Sequence, residues 1–236
     1  MTELTESGVL EAVRGDQRTT LTESEAKDLL DEAGLAVPRG RTARSSDDAV
    51  KAADEIGYPV VAKVASPSVQ HKSGWGDGVG VNVNLEGPDA VRSAAAEILE
   101  AAEREGIDAA VLVEEAVDLE AGLEVIVGGT RDPSFGPTVL VGLGGITVEV
   151  LQDTSHRLAP ISTAEAVAMT EDLEASPLFD GYRGSPAVDR EAVAEAIVTV
   201  GDLLDEHEAI REIEVNPLLA RSDDAVALDA LVSLED

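Results

Sequence analysis

VVAKVASPSVQHKSGWGDGVGV, residues 60–81, contains the clearest local signals for the fold. The run Val60–Ala65 is apolar except for Lys63, which predicts a β-strand. A glycine-rich loop carrying His71 follows, and apolar residues then recur at every second position over 79–85, the period of another strand. The stretch therefore predicts two strands joined by a loop whose glycines allow the backbone to approach a ligand closely.

Helical periodicity begins and ends with clear signals around this stretch. Thr22 and Glu25 have the spacing of a capping box, and the apolar residues that follow at helical intervals stop at Gly34. The same reasoning predicts further helices at 46–57, 88–105, 163–173 and 189–207, and further strands at 110–117, 123–128, 138–141, 146–151, 213–219 and 225–231. Interleaved helices and antiparallel strands favour a mixed α/β (α+β) fold.

Domain organisation follows from the length and from the breaks between these elements. A chain of 236 residues fits one large domain or two small ones. Residues 1–20 are polar and aperiodic, which predicts a loosely held arm. We place the lobe boundary near Val117, between two strands, so that the lobes span 21–117 and 118–236.

The composition excludes several classes of protein. The chain has 48 acidic and 17 basic side chains, a formal net charge of −31 at pH 7, whereas nucleic-acid binding starts from a basic surface. The absence of cysteine excludes disulfide scaffolds, zinc–thiolate sites and thiol catalysis. No apolar run reaches the length of a membrane span, and the N-terminus lacks the pattern of a secretory signal, so we expect a cytoplasmic protein.

The acidity also predicts the solvent in which the protein works. An apolar fraction of 44% supports a folded core rather than a disordered acidic tail. Thirteen arginines against four lysines, together with the net charge of −31, favour a salt-rich cytoplasm in which screening removes the repulsion between carboxylates. The alternative is an acidic protein from a low-salt organism.

Two candidates for phosphate chemistry lie in the opening stretch. A charge inside an apolar strand must pair or face a ligand, so Lys63 is a candidate for holding a polyphosphate. The alternative is a lysine that protects an edge strand from aggregation. His71 is a candidate nucleophile because neutral imidazole is reactive near physiological pH, and the alternative is an ordinary surface histidine.

Carboxylates and one arginine near strands are candidates for nucleotide contacts. Glu114 and Glu115 end an apolar strand, and Glu124 alternates with apolar residues in GLEVIVGG. Such carboxylates can accept ribose hydroxyls or hold a cation, although in so acidic a chain each is otherwise a solvated glutamate. Arg131 either faces a phosphate or closes a turn beside Asp132.

The segment EIEVNPL contains the best candidate metal ligands. Glu214 and Asn216 are two residues apart on a predicted strand and project to one face, and Asp229 lies on the next strand. Hard oxygen donors of this kind suit Mg²⁺ with bound phosphates. The alternative is that Asn216 is a turn residue before Pro217.

Taken together, these motifs resemble a known family. Their order is the strand lysine, SPSVQHKS, VLVEEAV, GLEVIVGGTRDPSFGP, GLGGITVEVL, EIEVNPL and LDA. The sequence is similar, from about residue 21 to 236, to the ATP-grasp (beta) subunit of ADP-forming acetyl-CoA synthetase, also called acetate–CoA ligase (ADP-forming), a relative of succinyl-CoA synthetase. The resemblance implies a two-lobed ATP-grasp fold.

The resemblance also implies a reaction, a partner and roles for the candidates. Acyl-CoA, ADP and phosphate give a carboxylate, CoA and ATP, with the CoA site on an alpha-type partner subunit. His71 relays the phosphoryl group, and the run Gly74–Gly80 supplies hinge freedom. The implied binding roles are phosphates for Lys63 and Arg131, the nucleoside of ATP or ADP for Glu114, Glu115 and Glu124, and Mg²⁺ for Glu214, Asn216 and Asp229.

Two other functions fit the same residues. One is the subunit of a succinate-type CoA ligase, and the other is a nucleotide-binding regulatory module without turnover. The loop HKSGWGDGV is one residue longer than the pattern of many relatives and gains Trp75, so substrate preference is a point on which this chain can differ from them.

Overall fold

A computed structural model describes residues 6–69, 72–144, 153–182 and 186–235. His71 and the strand expected at 146–151 lie outside these ranges. Within them, no helix is both long enough and apolar enough to cross a membrane. The chain divides into two compact units, which we call the larger unit (the chain up to Leu21, Glu25–Val37 and the chain from Asp118 onward) and the smaller unit (Thr22–Ser24 and Pro38–Val117).

Helices and strands interleave along the chain. The helices are α1 (Glu6–Gly15), α2 (Glu23–Glu32), α3 (Ser46–Ile56), α4 (Pro88–Glu105), α5 (Thr163–Glu171) and α6 (Arg190–Glu206). The strands are β1 (Gly40–Ala43), β2 (Val60–Ala65), β3 (Val81–Leu85), β4 (Ala110–Glu115), β5 (Leu123–Asp132), β6 (Gly136–Leu143), β7 (Thr154–Leu158), β8 (Ile210–Ala220), β9 (Ala225–Ala227) and β10 (Ala230–Leu234). Short 3₁₀ turns occupy Lys72–Gly78, Leu119–Ala121 and Ser176–Asp180. The mixed α/β prediction is confirmed.

Local chemistry sets the ends of α4, whose predicted bounds are confirmed. Pro88 occupies the first turn, where its missing N–H costs nothing. Gly106 ends the helix with φ 69°, a left-handed conformation that favours glycine, and its N–H bonds to the carbonyl of Ala102. Apolar residues at helical spacing, including Val91 and Ile98, are fully buried.

The smaller unit is an antiparallel sheet covered on one face by α3 and α4. Within the described residues its strand order is β1-β4-β2-β3, so β2 is an interior strand. Val60, Ala62 and Val64 of β2 pack with both helices in one apolar cluster. Because strand side chains alternate between faces, Lys63 points to the other face. The edge-strand alternative for Lys63 is therefore wrong.

The larger unit is built on a second antiparallel sheet. Its order within the described residues is β10-β8-β5-β6-β7, with β9 paired to β8. Helix α6 packs closely on β5, where a Cβ atom at Gly129 would lie 2.5 Å from Leu204 Cδ1 and 3.1 Å from Val200 Cγ1. Glycine at this position is what lets the helix and the strand approach each other.

Three expectations need correction. Residues 6–15 are not a loose arm, because α1 buries Val9, Leu10 and Val13 in the core of the larger unit. Most of α2 belongs to the larger unit, whereas the first lobe is expected to span 21–117 without a break. The single strand expected at 225–231 is two strands, β9 and β10, each paired with a different part of β8.

Candidate functional site

In the smaller unit, Lys63 lies at the centre of a buried network of four charged side chains. Its Nζ is 2.6 Å from Glu23 Oε1 and 2.9 Å from Glu114 Oε2. Lys72 Nζ is 3.2 Å from the other carboxylate oxygen of Glu23. The side chains are between 1% and 12% exposed. We call these four residues the lysine–glutamate cluster; it has two positive and two negative charges, and burial is tolerated because they alternate.

Strand alternation separates the two glutamates that end β4. Glu114 pairs with Val61 in the sheet register and is a diagonal neighbour of Lys63 on the same face. Gly40 leaves room for it, since a Cβ there would lie 2.9 Å from Glu114 Cγ. Glu115 points to the opposite face, where its carboxylate is 2.7 Å from Arg39. Of these two glutamates, Glu114 is therefore the one that can share a site with Lys63.

The turn Lys72–Gly78, which directly follows His71 in the sequence, is held at several points. Lys72 is anchored by Glu23. Trp75 packs against the apolar cluster of the smaller unit and donates from Nε1 to Glu105 on α4 at 2.8 Å. A Cβ at Gly80 would lie 2.0 Å from the carbonyl oxygen of Lys72. These contacts fix the turn in the conformation described here, and the hinge freedom expected of Gly74–Gly80 stays a prediction.

In the larger unit, alternation along β5 likewise separates Glu124 from Arg131. Val125, Val127 and Gly129 are buried, and Gly129 faces α6. Arg131 lies on the same face of β5 as these residues. Its guanidinium donates to the carbonyls of Leu204 and His207 at the end of α6 and of Ile210 beyond it. Glu124 lies on the opposite face of β5 and points away from α6.

The position of Arg131 explains the role of its guanidinium without a bound ligand. The last carbonyls of a helix have no intrahelical partner and carry partial negative charge. A guanidinium supplies several N–H donors and a positive charge to the same place. Arg131 therefore stabilises the end of α6, and neither the phosphate role nor the turn beside Asp132 is needed to explain it.

The three candidate metal ligands lie close together in the fold, but not all of them on strands. Glu214 and Asn216 lie on β8, whereas Asp229, expected on the next strand, lies in the short connection between β9 and β10, directly before Ala230. Asn216 Nδ2 donates to Glu214 Oε1 at 3.2 Å, so these two side chains share a face as expected. The backbone N–H of Asn216 donates to the carbonyl of Asp229 at 3.2 Å, which places the aspartate directly across the ladder. Two carboxylates and an amide form a set of hard oxygen donors that fits Mg²⁺.

The metal candidates and Glu124 occupy different positions along the sheet. Glu214 pairs with Gly128, and Gly128 and Glu124 are four residues apart on β5, roughly 13 Å in an extended strand. Within the described residues, no group of three or more His, Cys, Asp or Glu side chains is close enough to hold a metal ion. Any cation here would thus depend on Asn216 and on oxygens of the ligand itself.

Glu23 is the residue that the sequence analysis missed. Its side chain is 1% exposed and contacts both lysines of the cluster, yet it follows Thr22 as one of several acidic residues in a polar segment. The sequence contained one usable signal, the presence of two scarce lysines within ten residues, which implied buried acidic partners. Nothing in the sequence indicated which of the 48 acidic residues these were.

Comparisons with known proteins show similarity over nearly the whole chain. A model of the ATP-grasp domain matches residues 12–234. Acetate–CoA ligase [ADP-forming] I subunit beta of Pyrococcus furiosus is 42% identical over 229 residues, 96% of each chain. A dinucleotide-forming acetyl-coenzyme A synthetase 1 of Ca. Korarchaeum cryptofilum, in complex with coenzyme A, Ca-AMPCP and HgCl⁺, has a TM-score of 0.91 at 39% identity, covering 98% of this chain and all of that one.

A second structure of the Korarchaeum enzyme bears on the ligands. It contains coenzyme A and Mg-AMPPCP, with the phosphohistidine segment pointing towards the nucleotide binding site. Its TM-score is 0.85 at 38% identity, with 98% of this chain and 100% of that chain covered. The magnesium–nucleotide complex and the phosphohistidine are features of that protein.

Proposed function

This chain belongs to the ATP-grasp family, among the beta subunits of ADP-forming acetate–CoA ligases, and from this premise we propose how its residues divide the work of the reaction. The reaction is reversible: acyl-CoA, ADP and phosphate give a carboxylate, CoA and ATP, and the opposite direction joins the acid to the thiol of CoA. The observation that carries this function is the match over 96% of both this chain and the Pyrococcus subunit. The partner is an alpha-type subunit that supplies the CoA site.

In the smaller unit, Lys63 holds the phosphates of the nucleotide. The support is its position on an interior strand, on the face away from α3 and α4. Its ammonium is already paired with Glu23 and Glu114, so a phosphate has to compete with two carboxylates for it. Competition of this kind favours a ligand with several negative charges, such as a polyphosphate, over a single carboxylate. Glu114 then serves mainly to orient Lys63.

In the larger unit, Glu124 contacts the nucleoside, and Glu214, Asn216 and Asp229 hold Mg²⁺. When bound, Mg²⁺ neutralises charge on the phosphates during phosphoryl transfer. The residues fit this role because one or two carboxylates together with ligand oxygens are the usual environment of Mg²⁺ in such sites. Arg131 and the side chain of Glu115 are not part of this proposal, since each is engaged on the face that packs against helices.

His71 is the group that carries phosphate. One imidazole nitrogen attacks the γ-phosphorus of ATP, so that an N–P bond forms while the bond to the β,γ-bridging oxygen breaks and ADP leaves with the electron pair. The reverse step transfers the phosphoryl group from histidine to ADP. Lys72, the next residue in the chain, is buried beside Glu23 and fixes the backbone that follows the histidine.

Labelling tests this proposal against a regulatory module without turnover. The chain is incubated with Mg²⁺ and γ-³²P-ATP, and acid-labile, alkali-stable label is measured on the wild type and on His71→Asn and His71→Ala. We expect label on the wild type only, with nucleotide affinity unchanged in both variants. Wild-type label on either variant would contradict the assignment. Adding an alpha-type chain should restore ATP formation, and comparing acetyl-CoA with succinyl-CoA then separates the acetate-type from the succinate-type reaction.

A further inference from the structure

The lysine–glutamate cluster contains one residue to which the proposed function gives no role, Glu23. It is the first residue of α2, and its carboxylate is 1% exposed. One oxygen is 2.6 Å from Lys63 and the other is 3.2 Å from Lys72. Desolvating a carboxylate is costly unless it is paired, and here each oxygen faces a different ammonium group.

The two lysines that Glu23 joins belong to different parts of the smaller unit. Lys63 lies on the interior strand β2, whose other face packs against α3 and α4. Lys72 begins the turn that directly follows His71 in the sequence. A single buried carboxylate therefore links the residue assigned to the nucleotide phosphates with the residue next to the phosphate carrier.

We propose that Glu23 is a positioning residue that couples nucleotide binding at Lys63 to the placement of the turn Lys72–Gly78. The proposal rests on the proposed roles of Lys63 and His71. When Lys63 turns to a polyphosphate, its attraction to Glu23 weakens, and the charge of Glu23 is left to hold Lys72 more firmly. By linkage, a firmly held turn favours the nucleotide-bound state to the same degree.

The amide variant Glu23→Gln separates this role from a merely structural one. Glutamine keeps the size of the side chain but removes the charge that both lysines share. The phosphates of ATP then compete with one carboxylate fewer for Lys63, so the affinity for Mg-ATP should rise or stay within about threefold of wild type. Phosphorylation of His71 should slow by about tenfold or more. Loss of fold alone would lower both quantities together, so the opposite changes are diagnostic.

The experiment uses the full chain as wild type, Glu23→Gln, Lys72→Met and a control, Glu25→Gln. Glu25 lies on the same helix and pairs with Arg18 at 2.7 Å, so this control removes an ion pair of similar length, though a more exposed one, outside the cluster. Hydrogen exchange of peptides covering residues 72–80, the affinity for Mg-ATP and the rate of ³²P labelling are measured, with circular dichroism as the check on folding. We expect exchange over 72–80 to accelerate about tenfold in Glu23→Gln and Lys72→Met and to stay within about twofold of wild type in the control.

Each result decides a separate part of the proposal. Wild-type exchange over 72–80 in both cluster variants would overturn the placement role. Faster exchange with an unchanged labelling rate and unchanged affinity would overturn the coupling. If Glu23→Gln does not fold, Lys72→Met still tests the same link from its other end. Absence of label on the wild type would count against His71 as phosphate carrier, whereas the exchange data would still decide whether Glu23 holds the turn.

Discussion

Replacing Arg131 by methionine distinguishes a helix-stabilising arginine from a phosphate-binding one. In the structure its guanidinium donates to three carbonyls at and just beyond the end of α6, those of Leu204, His207 and Ile210. Methionine keeps most of the length and apolar contact of the stem but has neither donors nor charge. If the structural placement is the whole role of Arg131, the variant should lose stability and keep its affinity for nucleotide.

The size of the loss follows from the contacts. Each hydrogen bond contributes about 1 kcal/mol net, and a positive charge at a helix C-terminus contributes about 0.3–1 kcal/mol more. Some of the freed carbonyls at the end of α6 regain water, so we expect a total loss of about 2–3 kcal/mol in the free energy of unfolding. For a protein of this size that corresponds to a thermal midpoint lower by about 5–10 °C.

Two measurements on the same samples test the reasoning. Urea unfolding followed by circular dichroism gives the change in stability, and calorimetric titration with Mg-ATP gives the change in affinity. Arg131→Lys is the matched control, since it keeps the charge but cannot reach several carbonyls with one planar group, and it should lose about half as much stability. Unchanged stability of Arg131→Met, with affinity weakened tenfold or more, would show that the guanidinium serves a phosphate and not the helix.

Three further predictions concern packing, ligands and salt. Gly129→Ala should cost about 1–3 kcal/mol in unfolding free energy because its Cβ would meet Leu204 at 2.5 Å, whereas the nearest atom to a Cβ at the adjacent Gly128 is 3.2 Å away and Gly128→Ala should cost less; equal losses in urea unfolding would contradict the helix contact. Asn216→Ala and Lys63→Met should each weaken Mg-ATP binding in calorimetry by about tenfold without loss of helical signal, as expected for a lost hydrogen bond or charge of about 1.4 kcal/mol, and wild-type affinity in both would remove these assignments. The thermal midpoint should rise between about 0.1 M and molar KCl, because salt screens the repulsion of a net charge of −31, and a flat or falling midpoint would refute the salt adaptation.

Strong local signals account for the elements that were predicted well. The strand Val60–Ala65 and the helix Pro88–Glu105 have the predicted bounds, because apolar runs, proline at a helix start and glycine at a helix end act within a few residues. Elements stabilised by distant contacts were missed. Helix α1 is short, and its burial depends on the rest of the larger unit, which no local pattern records.

The same distinction between local signals and distant contacts applies to the candidate site. The types of residue that the chemistry needs were all visible in the sequence: a lysine in a strand, a histidine on a glycine-rich loop, glutamate and asparagine on one strand, and an aspartate further along the chain. Alternation in a strand was visible too, and applied strictly it would have placed Glu124 and Arg131, seven residues apart, on opposite faces. What alternation cannot tell is which of the two faces meets a helix.

The fold class, the family and the identity of most residues that can carry phosphate chemistry could be predicted without a structure, because these depend on short motifs and on periodicity. The partners of the charges became known from the folded structure: Glu23 for Lys63 and Lys72, and the end of α6 for Arg131. The reason is physical. A buried charge is stabilised by whatever lies within about 3–4 Å, and residues 40 to 79 positions apart reach that distance only after the chain has folded.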